Sequence, residues 1–141
     1  MKSSVSLTEL AISGEIEEES SPEKRLRELA PTTPHKALAD AFRSSWAALC
    51  ARFVLEPSFP LGSRLSSLAD ALIEHLLRRL YGEFDVIALG SYGREELHPG
   101  SDLDLLLLIE DPERHGASEQ QAQDLLAMFD TLRRHGLSLS V

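Results

Sequence analysis

Two largely apolar runs of strand length, Phe84 to Leu89 and Asp102 to Ile109, flank a polar, glycine-rich stretch from Gly90 to Gly100. This pattern constrains the chain more than any other. Each run is too short for a membrane span, which needs roughly 18 apolar residues, and each suits a buried strand. The stretch between them, Gly90-Ser-Tyr-Gly-Arg-Glu-Glu-Leu-His-Pro-Gly100, is rich in residues that end regular structure. It predicts a loop with at most one helical turn between two neighbouring strands.

The segments around this pair read as helices. Leu38, Phe42, Trp46, Leu49 and Phe53 recur every three or four residues between Lys36 and Phe53, which makes one apolar stripe. Pro57 and Pro60 interrupt it, and Ser63 is placed to cap the next helix. Leu65, Leu68, Leu72, Ile73, Leu76, Leu77 and Leu80 define that second amphipathic helix. Arg78 and Arg79 near its end complement the helix dipole, and Gly82 is a stop signal. Asp111, Pro112 and Gly116 mark a loop. A third helix is expected from Ser118 to Arg134, burying Ala122, Leu125, Leu126, Phe129 and Leu132. The alternation from Leu137 to Val141 begins a third strand. Residues 1–35 contrast with all of this. Five acids fall between Glu15 and Glu23 among serines, and Pro31 and Pro34 follow. They are expected to form an acidic, disordered tail with room for a short helix over Pro22 to Leu29. Residues 36–141 form the folded domain on this reading, an α+β unit whose last strand stops in mid-element.

Composition narrows the function classes. A net charge of −9 disfavours nonspecific nucleic-acid binding, which relies on clustered Lys and Arg. The single cysteine, Cys50, excludes an internal disulfide and a Cys-rich zinc site and is consistent with a cytoplasmic protein. No run is long enough for a membrane span, and the N-terminus lacks a signal-peptide pattern.

The chemistry concentrates in the loop and its two strand ends. Gly90 has no Cβ, so its backbone admits a ligand closely. If a helical turn opens after Ser91, its free N–H groups favour phosphate oxygens. The Ser91 hydroxyl adds a donor, Gly93 keeps the loop lean, and Arg94 offers a charge-assisted contact to a terminal phosphate. Asp102 and Asp104 are two apart, so on a strand they share one face. Two such carboxylates repel unless a cation lies between them, and Mg²⁺ is a hard ion that takes carboxylate and phosphate oxygens together. An EF-hand does not fit, because leucines follow Asp104.

The order of strand, Gly-Ser, ten residues, Asp-x-Asp and apolar strand resembles the DNA polymerase β-like nucleotidyltransferase superfamily. Within it, the run Gly-Ser-Tyr-Gly-Arg-Glu-Glu-Leu-His-Pro-Gly-Ser-Asp-Leu-Asp-Leu-Leu is most similar to the N-terminal domain of bacterial PII-protein uridylyltransferase/uridylyl-removing enzymes. The resemblance covers roughly residues 40 to 141. It implies a short mixed sheet with flanking helices. It also implies that Gly90, Ser91, Arg94 and Ser101 hold the nucleotide and that Asp102 and Asp104 are catalytic and bind Mg²⁺. The implied reaction moves UMP from UTP to a tyrosine hydroxyl of a PII-like acceptor protein. Protein adenylyltransferases and antitoxin-type nucleotidyltransferases share parts of the signature.

The chain departs from that pattern in one respect. The superfamily adds a third carboxylate from a later strand, where this chain has Ser138 and Ser140; Asp124 and Asp130 fall on the expected helix. An inactive or truncated module that binds nucleotide or a partner is therefore the competing expectation. Among other residues, Trp46 and Cys50 read as packing residues and Tyr92 as a weak candidate for base stacking. His98 reads as a turn former or substrate contact, and His35, His75, His115 and His135 as surface residues.

Overall fold

A three-stranded sheet turns one face toward a layer of packed helices with which it shares a core. The computed structural model describes residues 21–80, 84–109 and 116–141. Expectations for residues 1–20, for Gly82, for Asp111 and Pro112, and for His115 lie outside these. The described elements are α1 (Pro22–Glu28), α2 (His35–Leu55), α3 (Leu61–Leu77), β1 (Phe84–Leu89), the single turn α4 (Gly90–Gly93), β2 (Leu103–Ile109), α5 (Gly116–Arg134) and β3 (Leu139–Ser140).

β1 and β2 are antiparallel, with Val86 opposite Leu107, Ala88 opposite Leu105 and Leu89 opposite Asp104. β3 joins β2 in parallel, with Leu103 beside Leu139 and Asp104 beside Ser140. Alternation divides the sheet into two faces. Leu103 and Leu105 are buried, and Val86, Ala88 and Leu107 pack with them against the helices. On the opposite face Ile87, Leu89, Leu106 and Leu108 remain 38 to 46% exposed, and Asp104 lies among them.

α3 is the hub of the helical layer. Leu65, Leu68, Leu72 and Leu76 recur at spacings of three and four and are fully buried, the pattern of a helix packed along one stripe. α1, α2 and α5 all pack against it. α2 buries Leu38, Ala39, Phe42 and Leu49, while α5 buries Ala122, Leu125, Phe129 and Leu132.

Several expectations need correction. Phe53 and Leu126 are 38% exposed, because each lies at the edge of its helical stripe. Ser63 does not cap α3: the helix starts at Leu61 behind Pro60, and the Ser63 hydroxyl donates to the Pro60 carbonyl at 3.3 Å. The short helix expected near residue 22 is present as α1, and it is docked. Its N-cap, Ser21 Oγ, accepts the Lys24 N–H at 3.2 Å. Leu26 is buried, and the Arg64 guanidinium of α3 grips the buried Glu23 carboxylate at 2.8 and 3.3 Å. The packed body therefore takes in residues 21–35, which composition assigned to the tail; the buried Leu26, the Glu23–Arg64 pair and the Arg27–Glu74 pair dock the seven-residue helix on α3.

Arg78 and Arg79 are more specific than a dipole argument implies. Arg78 donates to the Arg27 carbonyl at 2.7 Å and Arg79 to the Thr33 carbonyl at 2.6 Å, so both fasten the α1–α2 connection. His75 is not a surface residue. It is fully buried, with Nε2 3.1 Å from the Ala30 carbonyl and Nδ1 without a partner. This geometry suits the neutral ring donating from Nε2.

Burial is the main cause that holds the His75 pKa below its ordinary value, and the nearby Arg79 and Arg78 charges act in the same direction. His35 is lowered as well, by burial and by the Arg79 and His135 charges. A histidine held neutral in the folded state binds fewer protons than in the unfolded chain. Its contribution is complete above the unfolded value of about 6.5 and is lost as pH falls below it. Urea unfolding between pH 7.5 and 5 should show stability declining with acid, and His75→Gln should flatten that decline.

Glu23 titrates in a lower range. Burial raises its pKa, but the Arg64 hydrogen bonds, its backbone N–H and the Arg64 and Arg27 charges together outweigh burial and hold it below the ordinary value. Arg64→Met should leave that carboxylate buried and unpaired. The expected loss is about 2 kcal/mol, smaller than for a fully enclosed pair because Arg64 still meets water. Thermal unfolding measures it.

Candidate active site

β1 ends where the chain must turn sharply. Leu89 is extended, and Gly90 follows in the left-handed region at φ +56°, a conformation that costs a residue with a Cβ roughly 1 kcal/mol or more. A Cβ at Gly90 would also lie 3.0 Å from Asp104 Oδ2. The Asp104 carboxylate therefore lies directly against the bare backbone of the Gly-Ser turn. Its neighbours Leu103 and Leu105 point into the core, and this alternation keeps Asp104 off the core face.

Asp102 is exposed and precedes β2 by one residue, so the strand holds only one of the two acids. Asp102 is tethered from both sides instead. The Leu103 N–H donates to the Ser138 carbonyl at 2.9 Å, and the Ser101 N–H donates to the His98 carbonyl at 2.9 Å. The turn is closed further by the His98 N–H donating to Ser101 Oγ at 2.9 Å and the Gly100 N–H to His98 Nδ1 at 3.3 Å. His98 is thus a turn former. Ser101, expected at the nucleotide, uses its hydroxyl oxygen to shape the approach to Asp102.

The Gly-Ser turn is held from inside. The Arg94 N–H donates to the Gly90 carbonyl at 3.1 Å and the Glu96 N–H to the Ser91 carbonyl at 2.8 Å. Gly93 folds tightly over β1: a Cβ there would be 2.6 Å from the Ala88 carbonyl oxygen. Arg94 is exposed and pairs through Nε with Glu96 at 3.0 Å. A pair exposed on both sides is weak, so the Glu96 carboxylate holds the guanidinium only loosely. Tyr92 does not project for base stacking. It is buried, and its hydroxyl donates to Asp70 Oδ1 of α3 at 2.6 Å. Burial first, and the Asp70 carboxylate second, push its phenol far above the ordinary tyrosine pKa.

Trp46 is half-buried and paired in a tilted ring contact with Phe42, and its indole N–H donates to the Pro99 carbonyl at 3.2 Å. A cavity of about 150 Å³ lies beside it on the helix side, bordered by Arg43, Ser101, Leu103 and Leu137. Asp124 and Asp130 are on α5 and bonded locally, to Gln120 and Arg133. Among the described residues no three His, Cys, Asp or Glu side chains converge as a metal site. Ser140 occupies the position beside Asp104 in the adjacent strand.

Residues 70–135 match the nucleotidyltransferase domain family. The matched segment is a nucleotidyltransferase domain. The mixed sheet with flanking helices is consistent with the polymerase β-like fold. The chain is 37% identical over 91 residues to the bifunctional uridylyltransferase/uridylyl-removing enzyme of Pseudomonas putida (strain GB-1), an alignment covering 56% of this chain and 9% of that protein. The protein of the same name from Idiomarina loihiensis is 37% identical over 100 residues, or 69% of this chain and 11% of the relative. That of Pseudoalteromonas translucida is 32% identical over 114 residues, 71% and 13% respectively. The chain thus spans about a tenth of the length of these curated relatives. No solved structure gives a match.

Sequence reading of the nucleotidyltransferase domain missed Asp70, Gly62 and Trp46 as residues that set the loop. A Cβ on Gly62 would be 2.5 Å from the Glu95 carbonyl oxygen, yet nothing local to Gly62 or Asp70 signals a partner so distant along the chain. The Gly93 contact generates a direct test. Gly93→Ala must push the turn off β1, so it should cost about 1–3 kcal/mol in chemical denaturation, as overpacking does.

Proposed function

We propose that this domain catalyses Mg²⁺-dependent transfer of a nucleoside monophosphate, UMP from UTP, to a protein hydroxyl such as a tyrosine of a PII-like acceptor in the cytoplasm. The observation that carries the reading is the Asp104 carboxylate lying against the glycine of a Gly-Ser turn, with Asp102 two residues earlier. The printed names of the relatives favour uridylyl transfer.

The donor set suits a hard cation: two carboxylates, neither hydrogen-bonded nor ion-paired among the described residues, beside a space that a Cβ would fill. Asp102 and Asp104 would hold Mg²⁺, which when bound supplies positive charge where negative charge develops on the phosphoryl oxygens. Gly90 and Ser91 would receive the triphosphate, and Arg94 would leave Glu96 to meet a terminal phosphate. Ser101 would act by keeping Asp102 in place. In the reaction the acceptor oxygen bonds to the α-phosphorus and the α–β anhydride bond breaks. Pyrophosphate departs, and the hydroxyl proton passes to water.

A second reading is a module that binds nucleotide without turnover. It is favoured by Ser140 standing beside Asp104 and by the lack of a third ligating side chain among the described residues. Titration with Mg·UTP and Mg·ATP, followed by a pyrophosphate-release assay with a PII-type acceptor, separates the two. Release supports the transferase, and saturable binding without release supports the module. A preference for Mg·ATP would move the reading to adenylyl transfer. Asp102→Asn with Asp104→Asn should abolish metal-dependent binding, by about 100-fold or more in line with losing both charged oxygen ligands. Unchanged affinity would remove the metal role.

A further inference from the structure

The Gly-Ser turn that the proposed reaction uses is short and exposed, yet its middle residue is locked. Tyr92 lies between Ser91 and Gly93, and its ring is 5% exposed in the core against α3. Its hydroxyl reaches Asp70 Oδ1 at 2.6 Å, a short contact of the charge-assisted kind. Asp70 is exposed, so its carboxylate keeps contact with water while it accepts from Tyr92. The Tyr92 phenol has no comparable alternative, because it is buried and would lose its acceptor if Asp70 were removed.

A further contact ties the same loop to the same helix. The Glu95 carbonyl crosses α3 at Gly62, where a Cβ would come within 2.5 Å, and Glu95 itself adopts φ +56°. A non-glycine residue holds that conformation only when its surroundings impose it. Leu97 then enters the core. The loop from Ser91 to Leu97 is thereby fixed to α3 at Tyr92 and Glu95 and to the core at Leu97; Ser91 adjoins the first of these points and Arg94 lies between the first two.

From this geometry we infer that Asp70 is a positioning residue for nucleotide binding: through Tyr92 it sets the orientation of the Gly90–Gly93 turn and so of the Ser91 and Arg94 groups. The inference rests on the transferase reading and names a determinant of that site outside the Gly-Ser and Asp-x-Asp motifs. Asp70 touches neither the nucleotide nor the metal in this role. It acts on affinity through the turn, and a hydrogen-bond acceptor is what the position requires.

The test uses the full chain and Mg·UTP, with Mg·ATP as a second probe, and measures Kd by calorimetry and the unfolding midpoint of each variant. Asp70→Ala and Tyr92→Phe should each weaken binding about tenfold, the scale of one charge-assisted hydrogen bond. The double variant should bind no more weakly than either single one, since both remove the same link. Asp70→Asn keeps an acceptor oxygen and should restore affinity to within about threefold of wild type. A merely structural role predicts lowered unfolding midpoints with Kd unchanged, and that result overturns the inference. Equal weakening by Asp70→Asn and Asp70→Ala overturns it too. If the wild type binds neither nucleotide, the transferase reading fails first and this inference falls with it. Wild-type binding with unaltered Kd in Tyr92→Phe rejects the positioning role alone.

Discussion

Leu89 pairs with Asp104 across the antiparallel β1–β2 ladder, and the position of every site group follows from that register. The pairing sets the last residue before the Gly-Ser turn opposite an acid. Slippage by one residue would move Asp104 to the helix face and Leu103 or Leu105 to the open face, because side chains alternate along a strand. The buried leucines on either side of Asp104 resist that slip by the loss of apolar burial, roughly 1.5–3 kcal/mol for each side chain exposed. The site is therefore stabilised by the core that it turns away from.

The helical layer adds what the strands do not supply. α3 holds the Gly-Ser turn through Tyr92 and the crossing at Gly62, while α2 holds the 98–101 turn through the Trp46 indole and the Pro99 carbonyl. The two halves of the candidate site are thus fastened to two different helices of one packed layer. α1 completes that layer with the Glu23–Arg64 pair, and Arg78 and Arg79, just past the end of α3, fasten the connection behind it. Such division keeps a loop rich in glycine in one conformation, which lowers the ordering cost when a ligand arrives.

Much of this was readable in order and period. The strand limits Phe84 to Leu89, the single turn at Gly90 and the stripe of α3 agree with the expectations from spacing. Tyr92 and His75 show why other residues were misread. An aromatic residue in a glycine-rich loop looks available to a ligand, and a histidine near a helix end looks solvated; each was decided by an acceptor from another element, Asp70 or the Ala30 carbonyl. The tail boundary failed for the same reason. Glu23 is one more acid in an acidic run until Arg64, forty-one residues later, approaches it.

By itself the sequence determined which stretches alternate, which repeat every three or four residues, and that a Gly-Ser turn precedes two acids by ten residues, since these depend only on local geometry and on the order of side chains. Tertiary structure alone decided that Asp104 faces Gly90, that Asp102 stands just outside the strand, that Ser140 is the neighbour of Asp104, and that Asp70 takes the Tyr92 hydroxyl. The physical reason is that periodicity reports which face of an element is buried but not what buries it. Partners separated by tens of residues meet only when the whole layer closes, and no local propensity encodes that meeting.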